Sequence, residues 1–250
     1  MVDPPRPIPG PIAVPLDAEP EPTDRDLAPA RFVDSDAPAV LAFAERACGG
    51  AAAAERATPV ARAVAVFDAV RDGVRYDPTR ITTDPDAYRA SRVAAASSHW
   101  CVPKAVLLTA AARAAGIPAR LGFSDVRNHP GVRNNPGVRN NPGVRDHPGA
   151  TPLREQPGEQ ELFFWHGWVA LWLDGRWVRA TPAFDAEQCA RAGVDPVPFD
   201  GRADALVHTR EGTGEHLPSH ERDRGTFHDL PLDDVVATFR ERYGETVFTG

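Results

Sequence analysis

The segment CVPKAVLLTAAARAAGIPAR, residues 101–120, has the pattern of a buried helix that ends sharply before a strand. Its central residues are strong helix formers, and Pro103 is tolerated only in a first helical turn. Gly116 and the proline two positions later stop the helix, and residues 119–123 are predicted to form a short strand. The pattern therefore puts Cys101 at or just before the N-terminus of a buried helix.

A second informative stretch is HGWVALWLDGRWVRATPAFD, residues 166–185. Aromatic and β-branched residues flank the dipeptide Asp174-Gly175, which is the strongest short-range signal for a β-hairpin. If these two residues form the loop, counting outward along both strands puts His166 opposite Ala183. The sequence thus predicts a two-stranded ribbon that carries a single histidine at its start.

The rest of the sequence predicts an N-terminal leader followed by one domain. Residues 1–28 contain eight prolines before Thr23 and no periodic apolar pattern, which favours a disordered or polyproline-like segment. Residues 29–250 form the predicted domain. The other predicted elements are helices at 37–47, from Thr58 or Pro59 through Val70 and at 232–243, an alanine-rich connection at 51–57, turn-rich extended structure at 75–91 and an extended piece at 204–209.

Composition excludes several classes of protein. The formal net charge of -7 supplies no strong counterion-release term, so nucleic acid is not an expected partner. The sequence has no apolar run long enough to span a membrane and no secretory signal pattern at its N-terminus, so we expect a cytoplasmic protein. Its three cysteines do not suggest a secreted disulfide framework.

A six-residue repeat follows the strand after the Cys101 helix. Four near-identical copies, VRNHPG, VRNNPG, VRNNPG and VRDHPG, run from Val126 to Gly149. Each copy has one valine to bury and one Pro-Gly turn, which is too little apolar material for a stacked core. We therefore predict an expanded loop inserted in the domain rather than a structured array of turns.

The position of Cys101 is suited to nucleophilic chemistry. A thiol attacks as its thiolate, and the N–H groups and dipole at a helix N-terminus are expected to lower its pKa. It also needs a base, and His166 on a strand packed against this helix would supply one. His99 is an alternative base. The alternative for the pair is structural, with Cys101 a small core residue and His166 a core histidine.

These residues lie in motifs that resemble the transglutaminase-like superfamily of cysteine enzymes. The cysteine opens a helix that ends in Gly-Ile-Pro-Ala-Arg; then come His166-Gly167-Trp168 and Asp174-Gly175-Arg176-Trp177, which match the family's H-A-W and D-G-x-W. The similarity spans roughly Val70 to Asp185. A bacterial subgroup of unknown activity is suggested by RYDP (75–78), RNH (127–129), ATPAFD (180–185) and FHDLPLDD (227–234).

The resemblance implies a papain-related α+β fold, with the nucleophile helix packed on an antiparallel β-sheet. It also implies a Cys-His-Asp triad with Cys101 as nucleophile and His166 as general base and acid. The family's aspartate, however, occupies the position that Thr181 holds here, and the next candidate is Asp185. Both are diagonal neighbours of His166 in the predicted register, roughly 5.5 to 8 Å away. We favour Asp185 because its charge would stabilise an imidazolium.

The remaining polar candidates are weaker. Trp100 could line a cleft or fill the core. Cys48 and Cys189 are expected to be structural. Residues 127–129, Arg-Asn-His, could border the cleft or lie in a solvated loop. The histidines His208, His216, His220 and His228 lack the spacing of a zinc site, so neither a metal nor another cofactor is predicted.

The sequence therefore predicts a thiol enzyme that transfers an acyl group through a thioester intermediate. The resemblance implies hydrolysis or transamidation of an amide or peptide bond in a protein or peptide-like substrate. The alternative is a binding or scaffold protein that keeps the fold without catalysis, which Thr181 at the aspartate position and the long repeat both favour.

Overall fold

The computed structural model describes residues 20–77, 79–127, 162–192, 194–206, 208–209, 216–217 and 219–249. The hexapeptide repeat from residue 128 on, and the first 19 residues of the predicted leader, lie outside these ranges. Within them, no helix has the length and hydropathy that a membrane crossing requires.

The first layer of the fold is a group of three helices: α1 (Pro38–Ala47), α2 (Ala51–Arg56) and α3 (Pro59–Gly73). Proline opens α1 and α3, and the Thr58 hydroxyl accepts a hydrogen bond from the N–H of Ala61, which caps α3. The two predicted helices in this region are confirmed. The alanine-rich connection between them is not a loop but α2, because alanine has the highest intrinsic helix propensity.

The segment between α3 and the nucleophile helix is mostly irregular, as predicted. It contains the two-residue strands β1 (Arg75–Tyr76) and β2 (Ser98–His99), which pair in parallel, a 3-10 turn at Pro85–Tyr88 and the short helix α4 (Ala90–Val93). This parallel pair leads the chain directly into the next helix.

Helix α5 (Cys101–Ala114) is the centre of the core. Every residue from Cys101 to Arg113 is buried, so the helix is surrounded by other elements on all sides. The buried Arg113 side chain donates hydrogen bonds to the carbonyl oxygens of Ala28, Ala119 and His228, which ties three distant segments to the end of α5.

A four-stranded antiparallel sheet packs against α5. The strands are, in spatial order, β5 (Arg176–Ala180), β4 (Leu162–Leu173), β3 (Ala119–Arg127) and β8 (Ser219–Phe227). The three strands that follow α5 are thus neighbours, and the last strand pairs with β3. This is the predicted α+β architecture, with the nucleophile helix on an antiparallel sheet. The other elements after α5 in the described ranges are α6 (Ala186–Ala192), β6 (His208–Thr209), β7 (His216–Leu217), α7 (Leu232–Tyr243) and a 3-10 turn at Glu245–Val247.

The β4–β5 hairpin has the predicted register at its turn. Leu173 pairs with Arg176, and Asp174 and Gly175 form the loop with φ of 48° and 80°. The ladder between the strands ends at the pair of Val169 and Ala180. The extrapolated pairing of His166 with Ala183 is therefore not formed, because β5 ends before Pro182, which has no N–H for a ladder.

The boundary predicted for the leader at residue 28 lies too far along the chain. Residues 24–26 form a 3-10 turn whose Asp26 is fully buried and pairs with Arg120 at 2.8 Å. The carbonyl of Pro20 accepts a hydrogen bond from the Trp177 indole at 3.0 Å. The described part of the predicted leader is thus fixed to the sheet by a buried ion pair, which a count of prolines does not reveal.

Candidate active site

Cys101 is the first residue of α5 and its side chain is fully buried. The backbone N–H groups of Cys101, Val102 and Gly167 act to lower the pKa of the thiol. Two of these groups belong to the first turn of α5, where no preceding carbonyl in the helix can accept their hydrogen bonds. The third comes from β4, so the sulfur lies between the end of the helix and the strand.

Burial nevertheless raises the pKa of the Cys101 thiol to about 12. The three N–H groups act in the opposite direction, but removing a thiolate from water costs more than they return. The expectation of a lowered pKa, which rested on the helix N-terminus alone, is therefore wrong. Cys101 is a neutral thiol near pH 7.

Gly167 lets β4 approach α5 closely. A Cβ atom at this position would lie 3.0 Å from the Cβ of Ala105, 3.1 Å from the carbonyl oxygen of Cys101 and 3.2 Å from the Cα of Val102. Only a glycine fits against the helix backbone at these distances. His166 is the residue before it in β4, so the close approach fixes the backbone next to the predicted base.

The His166 ring is buried and contacts Thr181. Its Nε2 lies 3.1 Å from the Thr181 hydroxyl oxygen, and that hydroxyl donates to the carbonyl oxygen of Gly167 at 3.1 Å. A hydroxyl has one proton, so a threonine that donates to Gly167 accepts from His166. The neutral ring then carries its proton on Nε2, and Nδ1 holds the lone pair.

Asp185 makes different contacts from those predicted for it. One carboxylate oxygen accepts from the N–H of Tyr76 at 2.7 Å, and the other accepts from the N–H of Gln188 at 2.8 Å, at the start of α6. The chain leaves the ladder at Pro182 and turns into this helix, so Asp185 serves as its N-terminal cap. The predicted preference for Asp185 over Thr181 is thus wrong for Nε2 of His166.

Lys104 is a polar residue near the site that sequence reasoning missed. It lies one turn along α5 from Cys101, is fully buried, and donates to the carbonyl oxygens of Arg71 at 2.8 Å and Val74 at 2.5 Å. These carbonyls belong to the end of α3, where orphan acceptors need donors. Burial lowers the pKa of Lys104 to about 8, although Asp185 acts to raise it. A lysine in a helix gives no sequence signal of burial.

Aromatic side chains close the site. Trp100 is fully buried, and its ring centroid lies 5.3 Å from that of Phe239 in α7 and 6.4 Å from that of Phe163 in β4. Phe163 also lies 6.5 Å from the ring of His166. Of the two roles left open for Trp100, the core role describes this state of the molecule.

The structure also places the weaker candidates. His99 is buried, and burial lowers its pKa to about 4. Cys189 is buried and Cys48 half-buried, and burial raises the pKa of both thiols. Arg127 ends β3, whereas Asn128 and His129 lie outside the described ranges.

Four histidines lie in the C-terminal part of the chain, where the sequence predicts no zinc site. His228 faces the buried Asp26, with 3.0 Å between Nδ1 and the carboxylate, and the strands β6, β7 and β8 carry His208, His216 and His220. Among the described residues there is no group of three or more histidine, cysteine, aspartate or glutamate side chains that could hold a metal ion.

Comparisons with known proteins bear on this geometry. The model of the transglutaminase-like superfamily matches residues 46–182, which contain Cys101, His166 and Thr181. The crystal structure of a "Putative Cysteine Protease" from Cytophaga hutchinsonii is similar at 17% sequence identity and a TM-score of 0.40, over 82% of this chain and 53% of that one. The chain thus spans about half the length of that protein's chain. A search of curated proteins finds no significant match.

Proposed function

Because the chain belongs to the transglutaminase-like superfamily, a family of thiol enzymes, we propose that it is an acyl-transfer enzyme that acts on an amide or peptide bond. The observation that carries the proposal is the set of contacts made by Gly167. Its N–H interacts with the Cys101 thiol, and its carbonyl accepts from the Thr181 hydroxyl that holds Nε2 of His166. One residue of β4 thereby links the proposed nucleophile with the residue that orients the proposed base.

In the first step Nδ1 of His166 takes the proton from the Cys101 thiol as the sulfur attacks the carbonyl carbon of the substrate amide. The backbone N–H of Cys101 at the helix terminus is available to the oxyanion that forms. When the C–N bond breaks, Nδ1 returns the proton to the leaving amine, and the acyl group remains on sulfur as a thioester.

In the second step an acceptor attacks the thioester. His166 removes a proton from water or from an amine, the carbon–sulfur bond breaks, and the proton passes to the Cys101 sulfur. Water gives hydrolysis and an amine gives transamidation. The expected substrate is a protein or peptide-like amide.

Thr181 fills the third position of the proposed site. It selects the ring tautomer that a base requires, but it offers the imidazolium a neutral acceptor instead of a carboxylate. Asp185 supports the site indirectly, since its carboxylate accepts hydrogen bonds both from β1 and from the start of α6. The proposed triad is thus Cys101, His166 and Thr181, with Asp185 as a structural neighbour.

The buried thiol means that catalysis includes an opening step. Cys101 is fully buried, with the rings of Trp100, Phe163 and Phe239 packed nearby. Substrate entry has to move one of these groups. Hydration of the opened site would also remove most of the cause that raises the thiol pKa.

The proposal is tested with an activated acyl ester, 4-nitrophenyl acetate, as the probe. In a Cys48→Ala background, which removes the half-buried cysteine, we expect an acetyl group on Cys101 in the peptide mass spectrum. Thr181→Val has nearly the same shape but no acceptor, and it should slow acetylation on the order of 100-fold. Thr181→Ser should retain most of the rate, and Thr181→Asp should exceed Thr181→Val.

Two controls decide the outcome. Cys101→Ala must abolish the acetylated peptide, and His166→Gln must slow its formation. Acetylation of Cys101 at equal rates in wild type, His166→Gln and Thr181→Val would show that the thiol reacts without a base, and the proposal would then fail.

A non-catalytic scaffold is the second candidate, and one observation favours it. The thiol is fully buried and its pKa is raised to about 12, as expected of an inert core cysteine. Under this alternative Cys101→Ala would leave the interactions of the protein unchanged, and the probe would acetylate no peptide that contains Cys101.

A further inference from the structure

Strand β4 contains a β-bulge directly before His166. His166 pairs with Ser124 and Phe163 pairs with Val126, so Phe164 and Trp165 together face the single residue Asp125. Trp165 has a φ of 59°, in the left-handed region that side chains with a Cβ rarely adopt. Such a bulge redirects the strand and the side chains that follow it. The residue that follows it here is the proposed base.

The bulge takes two backbone N–H groups out of the ladder, and side chains accept from both. The N–H of Phe164 donates to the hydroxyl of Tyr243 in α7 at 3.0 Å. The N–H of Trp165 donates to Oδ1 of Asp125 at 3.2 Å. Buried backbone donors that lack a partner are costly, so these two acceptors hold the bulge in its conformation.

Asp125 is itself held by Arg224 from the neighbouring strand β8. Nε of Arg224 lies 2.6 Å from Oδ1 of Asp125, and its terminal nitrogen lies 2.9 Å from Oδ2. The two side chains are 11% and 3% exposed, so this ion pair lies within the protein. A two-point contact between a planar guanidinium and a carboxylate fixes the orientation of both groups.

The Trp165 side chain is also held at several points. Its ring lies under the Arg224 guanidinium, 4.5 Å from centroid to carbon, and 5.3 Å from the ring of Phe123. Its indole N–H donates to the Thr238 hydroxyl in α7 at 3.0 Å. Neighbours in β3, β8 and α7 therefore maintain a backbone conformation that an isolated strand would not keep.

We infer that Asp125 is a positioning residue for His166, and that Arg224 acts through it. The carboxylate accepts from Trp165 N–H and so fixes the peptide that leads into His166, which aims Nε2 of the ring at the Thr181 hydroxyl. The catalytic part of this inference rests on the proposed function. The geometric part, that Asp125 sets the orientation of the His166 ring, can be measured without any substrate.

The first readout is the ring of His166 in a protein labelled with ¹⁵N at histidine. In wild type we expect the shift pattern of the Nε2–H tautomer and a slowly exchanging Nε2 proton. Asp125→Ala removes the acceptor of Trp165 N–H and should cause loss of that proton signal and mixing of the tautomers. Asp125→Asn keeps an acceptor oxygen and should restore much of the wild-type pattern.

The matched control is Asp204→Ala. Asp204 accepts from the backbone N–H of Arg179 at 2.8 Å and from its Nε at 2.8 Å, so it combines one strand N–H and one arginine as Asp125 does. It lies beside β5, away from the bulge. We expect the His166 ring signals of this variant to match wild type.

The second readout is the rate of Cys101 acetylation by 4-nitrophenyl acetate. A misplacement of about 1 Å in a reacting group can cost on the order of 100-fold in rate, and we expect a loss of this size for Asp125→Ala. Asp204→Ala should leave the rate within about 2-fold of wild type, since the bulge and the acceptors of both its N–H groups stay in place. The rate and the ring signals should change together across the variants.

The outcomes separate the two proposals. Ring signals that stay unchanged in folded Asp125→Ala would overturn the positioning role, whether or not Cys101 is acetylated. If the His166 ring signals change in Asp125→Ala but Cys101 of the wild type is never acetylated, the positioning role stands and the proposed function fails. If Asp125→Ala does not fold, the double variant Asp125→Leu/Arg224→Met takes its place, because it replaces the buried ion pair by apolar groups of similar volume and also removes the acceptor of Trp165 N–H; an unaltered ring there also overturns the inference.

Discussion

The two ends of the β4–β5 hairpin differ in the regularity of their strand pairing and in the polar groups that lie beside them. At the turn end, Asp174 and Gly175 close an unbroken ladder, and the loop residues are exposed to solvent. At the open end, the ladder stops at Val169 and Ala180 and the strands separate. The Cys101 thiol, the His166 ring and the Thr181 hydroxyl lie beside this gap.

The difference shows why the proposed site lies at the open end. Inside a regular ladder, each backbone N–H and C=O is used by the neighbouring strand. Where β5 leaves β4, the C=O of Gly167 accepts from the Thr181 hydroxyl instead of from a strand, and its N–H acts to lower the pKa of the Cys101 thiol. The end of the pairing thus supplies the polar groups from which the site is built.

The largest effect that we expect is on the pH dependence of the free energy of unfolding. Its source is Lys104, which lies in α5 near the site at the open end. Burial lowers the pKa of Lys104 to about 8 in the folded protein, from 10.5. Between these values the unfolded chain binds a proton that the folded protein has released. The free energy of unfolding should therefore rise with pH through this window, by a contribution approaching about 3 kcal/mol.

The measurement compares wild type with Lys104→Met in urea unfolding at several pH values. Other titrating groups, including Cys101 and Cys189, are common to both proteins and cancel in the difference. The stability of wild type relative to the variant should be constant below pH 8 and increase from pH 8 to 10.5. A difference that does not change with pH would mean that Lys104 remains charged in the folded protein.

The turn end and the helices could be predicted from sequence because local signals determine them. Asp174-Gly175 fixes the loop, proline and glycine mark the bounds of α5, and apolar spacing identifies α1, α3 and α7. Cys101 and His166 were predicted as site residues from the same signals together with the family motifs, and the helix and the strand that carry them are confirmed. Each of these signals comes from residues that are close in the sequence.

The open end could not be predicted in the same way because contacts between distant segments determine it. Register counting made Thr181 and Asp185 equal neighbours of the ring, and charge favoured Asp185, but the carboxylate of Asp185 accepts from the N–H of Tyr76 and caps α6. The pKa of Cys101 depends on its full burial, to which a helix N-terminus gives no clue. The bulge at Trp165 likewise depends on Asp125 and on Arg224, which lies 99 positions after Asp125 in the chain.

Gly167→Ala should have the next largest effect on stability. The new methyl group would lie 3.0 to 3.2 Å from Ala105, Cys101 and Val102, all of them in α5, and a helix backbone cannot move aside as a flexible side chain can. We expect a loss of about 2 kcal/mol in urea unfolding. Acetylation of Cys101 by 4-nitrophenyl acetate should fall as well, because the strand and helix separate at the thiol. Unchanged stability would show that this contact is loose.

Gly175→Ala makes the same chemical change at the turn end and should have the smallest effect. Nothing lies within 4 Å of a Cβ at this position, so the cost comes only from placing alanine at a φ of 80°. That conformation costs about 1 kcal/mol for a residue with a Cβ. The His166 ring signals and Cys101 acetylation should stay at wild-type values, because the regular ladder separates the turn from the site. If this variant reduces acetylation as much as Gly167→Ala does, the two ends are coupled through the strands, and the open end is not an independent site.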